Sequence, residues 1–125
     1  RHGLLPVSAE LTTDARTSFE VDDFFERMRA DVVQRRFDAI IVDIDHSTTH
    51  HLHPSHADFY TDDGIRRMRR HLAPHGVFAL WSDDPPEAGF IKVLSTVFET
   101  VDSHVVAFDN ALTEGTSTNT VYVAR

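Results

Sequence analysis

The stretch that decides the fold reads FDAIIVDIDH over residues 37–46. Its middle, residues 39–42, is a continuous apolar run rich in β-branched side chains. Such a run is typical of a strand that is buried on both faces, in a parallel sheet covered by helices. Asp43, Asp45 and His46 follow at once, and this pattern indicates the carboxyl edge of an α/β sheet, where ligands bind. We therefore expect an α/β fold with a site at this edge.

Strands and helices alternate along the rest of the chain. In chain order the sequence predicts a strand at 17–21, a helix at 24–33, a strand at 37–44, a helix capped by Thr61 and ended by Pro74 and Gly76, a strand at 77–81, a helix capped at Asp84, and strands at 104–108 and 120–124. Leu4, Leu5 and Leu11 also indicate the end of a helix near the start. The last two strands have only loop-like sequence between them, which predicts an antiparallel hairpin.

Composition limits the classes of function. A chain of 125 residues is long enough for one domain, here 1–125, and too short for two. It has no cysteine, which excludes disulfides and thiolate metal sites and is compatible with a reducing cytoplasm. No apolar run approaches the roughly 20 residues of a membrane helix. The net charge of -8 argues against nucleic acid as a partner, and it suits either a cationic substrate or plain solubility.

Five segments together resemble one family. FDAIIVD at 37–43 resembles the fourth strand of spermidine synthases, which ends in an aspartate. FY at 59–60 and LAPHGVF at 72–78 are similar to that family's Phe-Tyr and Leu-Lys-Pro-Gly-Gly-Val segments. DDP at 83–85 is similar to the polar segment after the family's next strand, and EVDDFF at 20–25 resembles its third strand and the acidic turn that follows. The chain thus resembles the spermidine synthase-like (polyamine aminopropyltransferase-like) family of the class I S-adenosylmethionine-dependent methyltransferase superfamily.

The resemblance implies a Rossmann-like methyltransferase fold, of which this chain is the later part. The sheet is expected to be mostly parallel with a terminal antiparallel hairpin, and to lack the first strands and the glycine-rich nucleoside loop. An unpaired edge and an open core would follow. The expected partner is therefore a second copy in a homodimer, or a further segment upstream.

The resemblance also implies which residues bind substrate. Asp43 matches the family aspartate that holds the amine substrate and accepts its proton, as a strand-edge carboxylate can; the alternative is a capping aspartate. Four more residues would contact a small-molecule amine or another small substrate: Asp45, His46, Trp81 and Asp83. Trp81 would stack on a flat or cationic group, or else pack in the core.

Asp22, Asp23 and Phe24 resemble the turn that reads the adenine of the nucleoside. The implied co-substrate is S-adenosylmethionine or its decarboxylated form, with no metal. A carboxylate suits the exocyclic amino group of adenine, and a phenyl ring can lie on its plane. An ordinary helix N-cap followed by a core phenylalanine is the alternative.

Histidines crowd the loop after the first long strand. They are His46, His50, His51, His53 and His56. Imidazoles next to carboxylates can bind zinc, nickel or iron, but no recognisable ligand spacing is present. The loop is therefore interpreted as solvated, with a pH-sensitive lid as a further hypothesis.

Several functions remain open at this point. The family pattern continues Asp-Ser-x-Asp-Pro, whereas this chain has its second acid, Asp45, one residue earlier and no proline. The first hypothesis is aminopropyl transfer to an amine. The alternatives are a small-molecule methyltransferase of the same fold, a non-catalytic relative that binds a nucleoside or dimerises, and a metal-binding protein built on the histidine loop.

Overall fold

The computed structural model describes residues 7–125 and contains a four-stranded sheet. Its elements are α1 (Ser8–Thr13), α2 (Phe24–Arg29), β1 (Phe37–Val42), a 3₁₀ helix (Pro54–Tyr60), α3 (Asp62–Arg69), β2 (Leu72–Ser82), α4 (Ala88–Ser95), β3 (Val101–Asn110) and β4 (Gly115–Ala124). The predicted α/β class is therefore confirmed. Of the predicted helix end at the start of the chain, Leu4 and Leu5 lie outside the described residues, and Leu11 lies in α1.

The sheet is mixed, with the strand order β1, β2, β4, β3. β1 pairs with β2 in parallel, and β4 pairs antiparallel with both β2 and β3. Three strands thus point in one direction, but only one of the three pairings is parallel. The prediction of a mostly parallel sheet is wrong in this respect, because β4 inserts between β2 and β3. The predicted terminal antiparallel hairpin is confirmed.

The core lies on one face of the sheet. Alternate strand residues point into it, and the helices supply the other wall: the cluster comprises Phe25, Met28, Ile40, Val42, Phe59, Tyr60, Ile65, Met68, Leu72, Phe78, Leu80, Phe90, Leu94, Phe98, Tyr122 and Ala124. Ile65 and Met68 sit one helical turn apart on α3, as their spacing predicts. Burial of these apolar side chains is the main stabilising contribution to the fold.

The opposite face of the sheet is open in the described part of the chain. In β1 only Ile40 and Val42 are buried, whereas Ala39 is exposed and Ile41 is 78% exposed. The prediction of a strand buried on both faces is therefore wrong. A continuous apolar run does not show whether both faces of a strand are buried or only one, because in either case every second residue is apolar.

Two elements near the start differ from prediction. Residues 17–21 are extended but pair with no strand within residues 7–125. Helix α2 ends at Arg29 rather than near Val33, and Val32 is 72% exposed. The chain turns out of the helix at Ala30, whose carbonyl accepts a hydrogen bond from Arg70 at 2.9 Å.

Two predicted helix boundaries also change. Pro74 and Gly76 do not end α3; they lie in the irregular first part of β2, where the register against β1 shifts. A Cβ on Gly76 would lie 3.0 Å from the Leu72 side chain, so this close approach favours glycine. Asp84 does not cap α4, which begins at Ala88 after Glu87. Between 7 and 125, no helix is both long and apolar enough to span a membrane.

Candidate functional site

The ends of β1 and β2 meet at one edge of the sheet, as the sequence predicts. Their register pairs Val42 with Leu80, so the residues that follow leave the sheet together. The backbone N–H of Asp83 donates to the carbonyl of His46 at 2.7 Å. The Asp83 carboxylate lies 3.5 Å from His46 Nδ1, and it accepts a hydrogen bond from Asn119 at 2.7 Å. We call this the carboxyl edge.

Asp43 is the first residue after β1 at this edge. It is exposed, and no donor from residues 7–125 binds its carboxylate. The side chain is therefore free to meet a ligand, as its predicted role requires. Whether it acts as a catalytic base stays a prediction.

Asp45, two residues later, is in the opposite situation. Its side chain is only 1% exposed. It accepts hydrogen bonds from the backbone N–H of Leu52 at 2.7 Å, from His56 Nδ1 at 2.8 Å and from the Tyr60 hydroxyl at 2.8 Å. Burial alone would raise the pKa of Asp45, but these donors outweigh it and hold the pKa below its usual value. Asp45 is therefore an ionised, internally satisfied carboxylate.

His56 is the one histidine of the loop that Asp45 orients. Its ring stacks on Phe25 with centroids 3.9 Å apart, and its side chain is 15% exposed. Because Asp45 is ionised, Nδ1 of a neutral His56 carries the hydrogen and Nε2 carries the lone pair. Among residues 7–125 the only buried side-chain nitrogen or oxygen without a hydrogen-bond partner is Nε2 of His71.

The remaining loop residues tie the loop to the start of α4. His50 Nδ1 lies 3.1 Å from both the Ser47 hydroxyl and the Asp84 carboxylate. Hydrogen bonds from Ser47 and His50 lower the pKa of Asp84. The Thr48 hydroxyl donates to the carboxylate of Glu87. The loop is therefore an ordered cover over the carboxyl edge rather than a uniformly solvated segment.

Trp81 lies in β2 next to the carboxyl edge, opposite Val121 of β4. It alternates with the buried residues Leu80 and Ser82, so its half-buried indole belongs to the open face of the sheet. Stacking on a ligand there stays a prediction.

Asp23 and Phe24 have structural roles at the start of α2. Asp23 caps the helix, and its carboxylate accepts the N–H of Glu26 at 3.0 Å. Phe24 packs edge-on against Phe25 and Phe59. The structure thus contains the N-cap and the packed phenylalanine of the alternative interpretation, and contact with adenine stays a prediction.

Asp22 is turned away from the carboxyl edge. It forms an ion pair with Arg27 at 2.7 Å. Both residues line a cleft of about 290 Å³ together with Phe37 and His71. Because Phe37 is the first residue of β1, this cleft lies at the amino end of the strand, whereas Asp43 follows its carboxyl end. The structure therefore does not bring Asp22 together with Asp43.

Sequence reasoning missed His56 and Tyr60 as members of the site. The histidines were grouped by proximity in the chain, and Tyr60 was expected in the core or at its rim. Nothing local separates His56 from His50, whose side chain is 73% exposed. The described residues contain no group of three or more histidine, aspartate or glutamate side chains arranged to hold a metal ion.

No protein-family model matches this sequence, and no curated protein matches it.

Proposed function

We propose that this chain is part of a spermidine synthase-like transferase that binds S-adenosylmethionine or its decarboxylated form and transfers a group to an amine. The observation that carries the proposal is the parallel pairing of β1 with β2, which brings Asp43 and Asp83 to one edge. Ligands of open α/β sheets bind at that edge. The resemblance of residues 37–43 and 83–85 to the family supports the same proposal.

Asp43 has the environment that an amine substrate needs. A primary amine is protonated near neutral pH, and it becomes a nucleophile only after it loses a proton. The exposed carboxylate of Asp43 attracts the ammonium group and orients it. Asp83 follows β2 at the same edge and adds negative charge to that region.

The proposal extends to the whole fold. The mixed sheet with an inserted last strand is compatible with the later part of a Rossmann-like methyltransferase domain. The open sheet face, with Ile41 78% exposed, supports cover by a second copy or by a further chain segment. A cytoplasmic location completes the proposal, and the absence of cysteine is compatible with it.

A small-molecule methyltransferase of the same fold is the second candidate, and one observation favours it. A polyamine carries more than one ammonium group, and a site for it needs more than one free carboxylate. Asp45 is unavailable because protein donors occupy both of its oxygens. A substrate with a single basic group would need no carboxylate at the position of Asp45.

Calorimetric titration distinguishes the two candidates. S-adenosylmethionine, its decarboxylated form and methylthioadenosine are titrated in turn into the chain. Preference for the decarboxylated form supports aminopropyl transfer, and preference for S-adenosylmethionine supports methyl transfer. If none of the three binds, the transferase proposal is wrong.

Substitution then tests Asp43. Asp43→Asn is expected to lower turnover by about 100-fold or more while nucleoside binding is retained, because a base contributes to the chemical step. The matched control is Asp102→Asn, an exposed acid at the start of β3 on the opposite edge. Undiminished turnover by Asp43→Asn would exclude Asp43 as the base.

A further inference from the structure

We infer that the open face of the sheet, the face opposite the core, is the interface of a homodimer in which it packs against the same face of a second copy of this chain. The inference rests on the proposed function in one respect only, the cover of the open face, which it assigns to a second copy instead of a further chain segment. It does not depend on the transfer chemistry.

Apolar side chains form continuous rows across the open face. Residues that lie directly opposite each other in neighbouring strands point to the same face of a sheet. Ile41 is opposite Ala79, and Ala79 is opposite Val123, so these three residues form one row across β1, β2 and β4. Trp81 and Val121 form the next row. The residues that alternate with them in the strands are buried in the core on the other face.

The β3–β4 hairpin extends the open face beyond the core. Val106 is opposite Asn119 and Phe108 is opposite Ser117, so both apolar side chains lie on the same side as Val121. Val106 is 37% exposed and Phe108 is 41% exposed. A two-stranded hairpin has little stability of its own in water, so contact with further protein would stabilise this part of the chain.

Titratable side chains lie at the margin of the open face and not at its centre. Asp102 and His104 belong to β3, the outer strand, and lie opposite Val123 and Val121. Asp43 follows β1 at the carboxyl edge. The two rows between them contain only apolar residues. An apolar centre with an aromatic residue and a polar rim is the usual arrangement of a homodimer interface. On this face two copies with a net charge of -8 repel each other least.

The exposed area of the chain matches what such a dimer needs. The chain exposes 8724 Å², whereas a folded monomer of this size exposes about 6800 Å². Even a fully extended chain of residues 1–6 would supply only about 1000 Å² of the difference. An excess of about 900 Å² is left, which is close to the roughly 800 Å² that each partner contributes to a stable interface.

A second copy covers the open face without any new element. Copies related by a two-fold axis bring identical surfaces together, so each apolar row meets an apolar row. Two sheets that pack face to face lie about 10 Å apart, with side chains that interdigitate. In the dimer Ile41, which is 78% exposed in a single copy, is buried, and Trp81 is covered on its exposed side.

Sedimentation equilibrium and tryptophan fluorescence of the chain 1–125 test the interface. The wild type is expected to be a dimer at micromolar concentration and to dissociate on dilution. Trp81 is the single tryptophan of the chain, so its emission reports on the open face directly. The emission maximum is expected to move to longer wavelength as the dimer dissociates, because the indole then gains contact with water.

A lysine at the centre of the open face tests the surface. Ile41→Lys is expected to raise the dissociation constant of the dimer by at least about 30-fold, because it places an unpaired charge in an apolar interface. Lysine also lowers the net negative charge of each copy, so stronger repulsion between the copies cannot explain the loss. Because Ile41 is exposed in a single copy, the variant should remain folded, which circular dichroism and thermal unfolding check.

Val105→Lys and Val106→Lys are a matched pair on neighbouring residues of β3. Val106 lies on the open face, whereas Val105 is opposite Thr120 and lies on the other side of the hairpin. Val106→Lys is expected to raise the dissociation constant by at least about 10-fold, and Val105→Lys is expected to stay within about threefold of the wild type. Val105 is the more exposed of the two, so loss of exposed apolar surface alone would predict the opposite order.

The outcomes decide the inference separately from the proposed function. A wild type that stays monomeric at its highest soluble concentration would assign the open face to another occupant, such as a further chain segment, and overturn the inference. A dimer that Ile41→Lys leaves unchanged, or that Val105→Lys and Val106→Lys weaken equally, would place the contact elsewhere and overturn it too. A monomer that binds a nucleoside retains the proposed function without the inference, and a dimer that binds none retains the inference without the proposed function.

Discussion

Tyr60 donates its phenolic hydrogen to Oδ2 of Asp45 across 2.8 Å, and both side chains are buried. The bond joins the end of the 3₁₀ helix to the segment after β1, across 15 residues of chain. Burial and the adjacent carboxylate raise the pKa of Tyr60, so the phenol keeps its hydrogen near neutral pH and donates it to Asp45. The pair therefore holds the cover of the carboxyl edge in place.

Removal of the Tyr60 hydroxyl should destabilise the chain. Tyr60→Phe is expected to lower the free energy of unfolding by about 1.5–3 kcal/mol, because a bond to an ionised acceptor is lost inside the protein. Tyr122→Phe is the matched control: its hydroxyl accepts a neutral backbone N–H from Glu87, and its loss should cost only about 1 kcal/mol. Urea unfolding measures both. Equal losses of unfolding free energy would show that the charge of Asp45 does not strengthen its hydrogen bond with Tyr60.

Asp45 should make stability depend on pH in the acid range. Its pKa is lowered in the folded chain, so its contribution is fully present above the unfolded value of about 3.9 and is lost as pH falls towards the folded pKa. The difference in unfolding free energy between wild type and Asp45→Asn should therefore be constant above about pH 5 and shrink below about pH 4. Urea unfolding from pH 7 to pH 3 measures it. A constant difference throughout would contradict the lowered pKa.

The strands of the sheet could be predicted because each carries its signal locally. The apolar runs at 37–44 and 77–81 and the paired segments at the end of the chain are strands in the structure. The insertion of β4 between β2 and β3 could not be predicted in the same way. The order of strands in a sheet depends on contacts between segments that are distant in the chain, and the sequence of one segment does not indicate its neighbours.

The two wrong predictions near the start, the strand at 17–21 and the end of helix α2, also depend on contacts with distant parts of the chain. Residues 17–21 alternate like a strand, but they pair with no strand of residues 7–125, and the outer edge of β1 stays unpaired within that range. Helix α2 ends early, at Arg29, and the carbonyl of the next residue, Ala30, is bound by Arg70 from 40 residues away. Helix propensity is a weak prior that such a distant contact overrides.

The carboxyl edge was predictable, and the pairing within it was not. Polar residues directly after two apolar strands indicated the edge, and Asp83 and His46 do meet there. The partnership of Asp45 with His56 spans 11 residues of irregular loop. Five histidines look alike in sequence, and only the folded loop stacks one of them, His56, on Phe25.

His71 should make stability depend on pH nearer neutrality. Burial lowers its pKa, and the nearby Arg70, Arg27 and Arg36 add to this effect, while a hydrogen bond to the Met28 carbonyl opposes it. Below about pH 6.5 the unfolded chain therefore binds a proton at His71 that the folded chain does not bind. The free energy of unfolding decreases as the pH is lowered further. His71→Gln should flatten the dependence between pH 7 and pH 5 in urea unfolding. An unchanged slope would contradict the burial argument.

Gly64 should tolerate no side chain, because helix α3 lies directly against the 3₁₀ helix at this residue. A Cβ there would lie 2.5 Å from the carbonyl oxygen and 2.6 Å from the Cα of Phe59, and it would also clash with the carbonyl of Asp58. These atoms belong to the backbone and cannot move aside cheaply, so Gly64→Ala is expected to cost at least about 1–3 kcal/mol of unfolding free energy.

Gly89→Ala is the matched control, since a Cβ at that helical position meets only the flexible Glu87 carboxylate at 3.3 Å. It removes backbone freedom from the unfolded chain and should stabilise by up to about 1 kcal/mol. The two alanine variants should therefore shift the urea midpoint in opposite directions with the slope unchanged. A Gly64→Ala as stable as the wild type would contradict the packing of α3 against the 3₁₀ helix. A destabilised Gly89→Ala would show instead that the Glu87 carboxylate does not move aside. Because that 3₁₀ helix carries both His56 and Tyr60, a loosened Gly64→Ala variant should also weaken their contacts with Asp45.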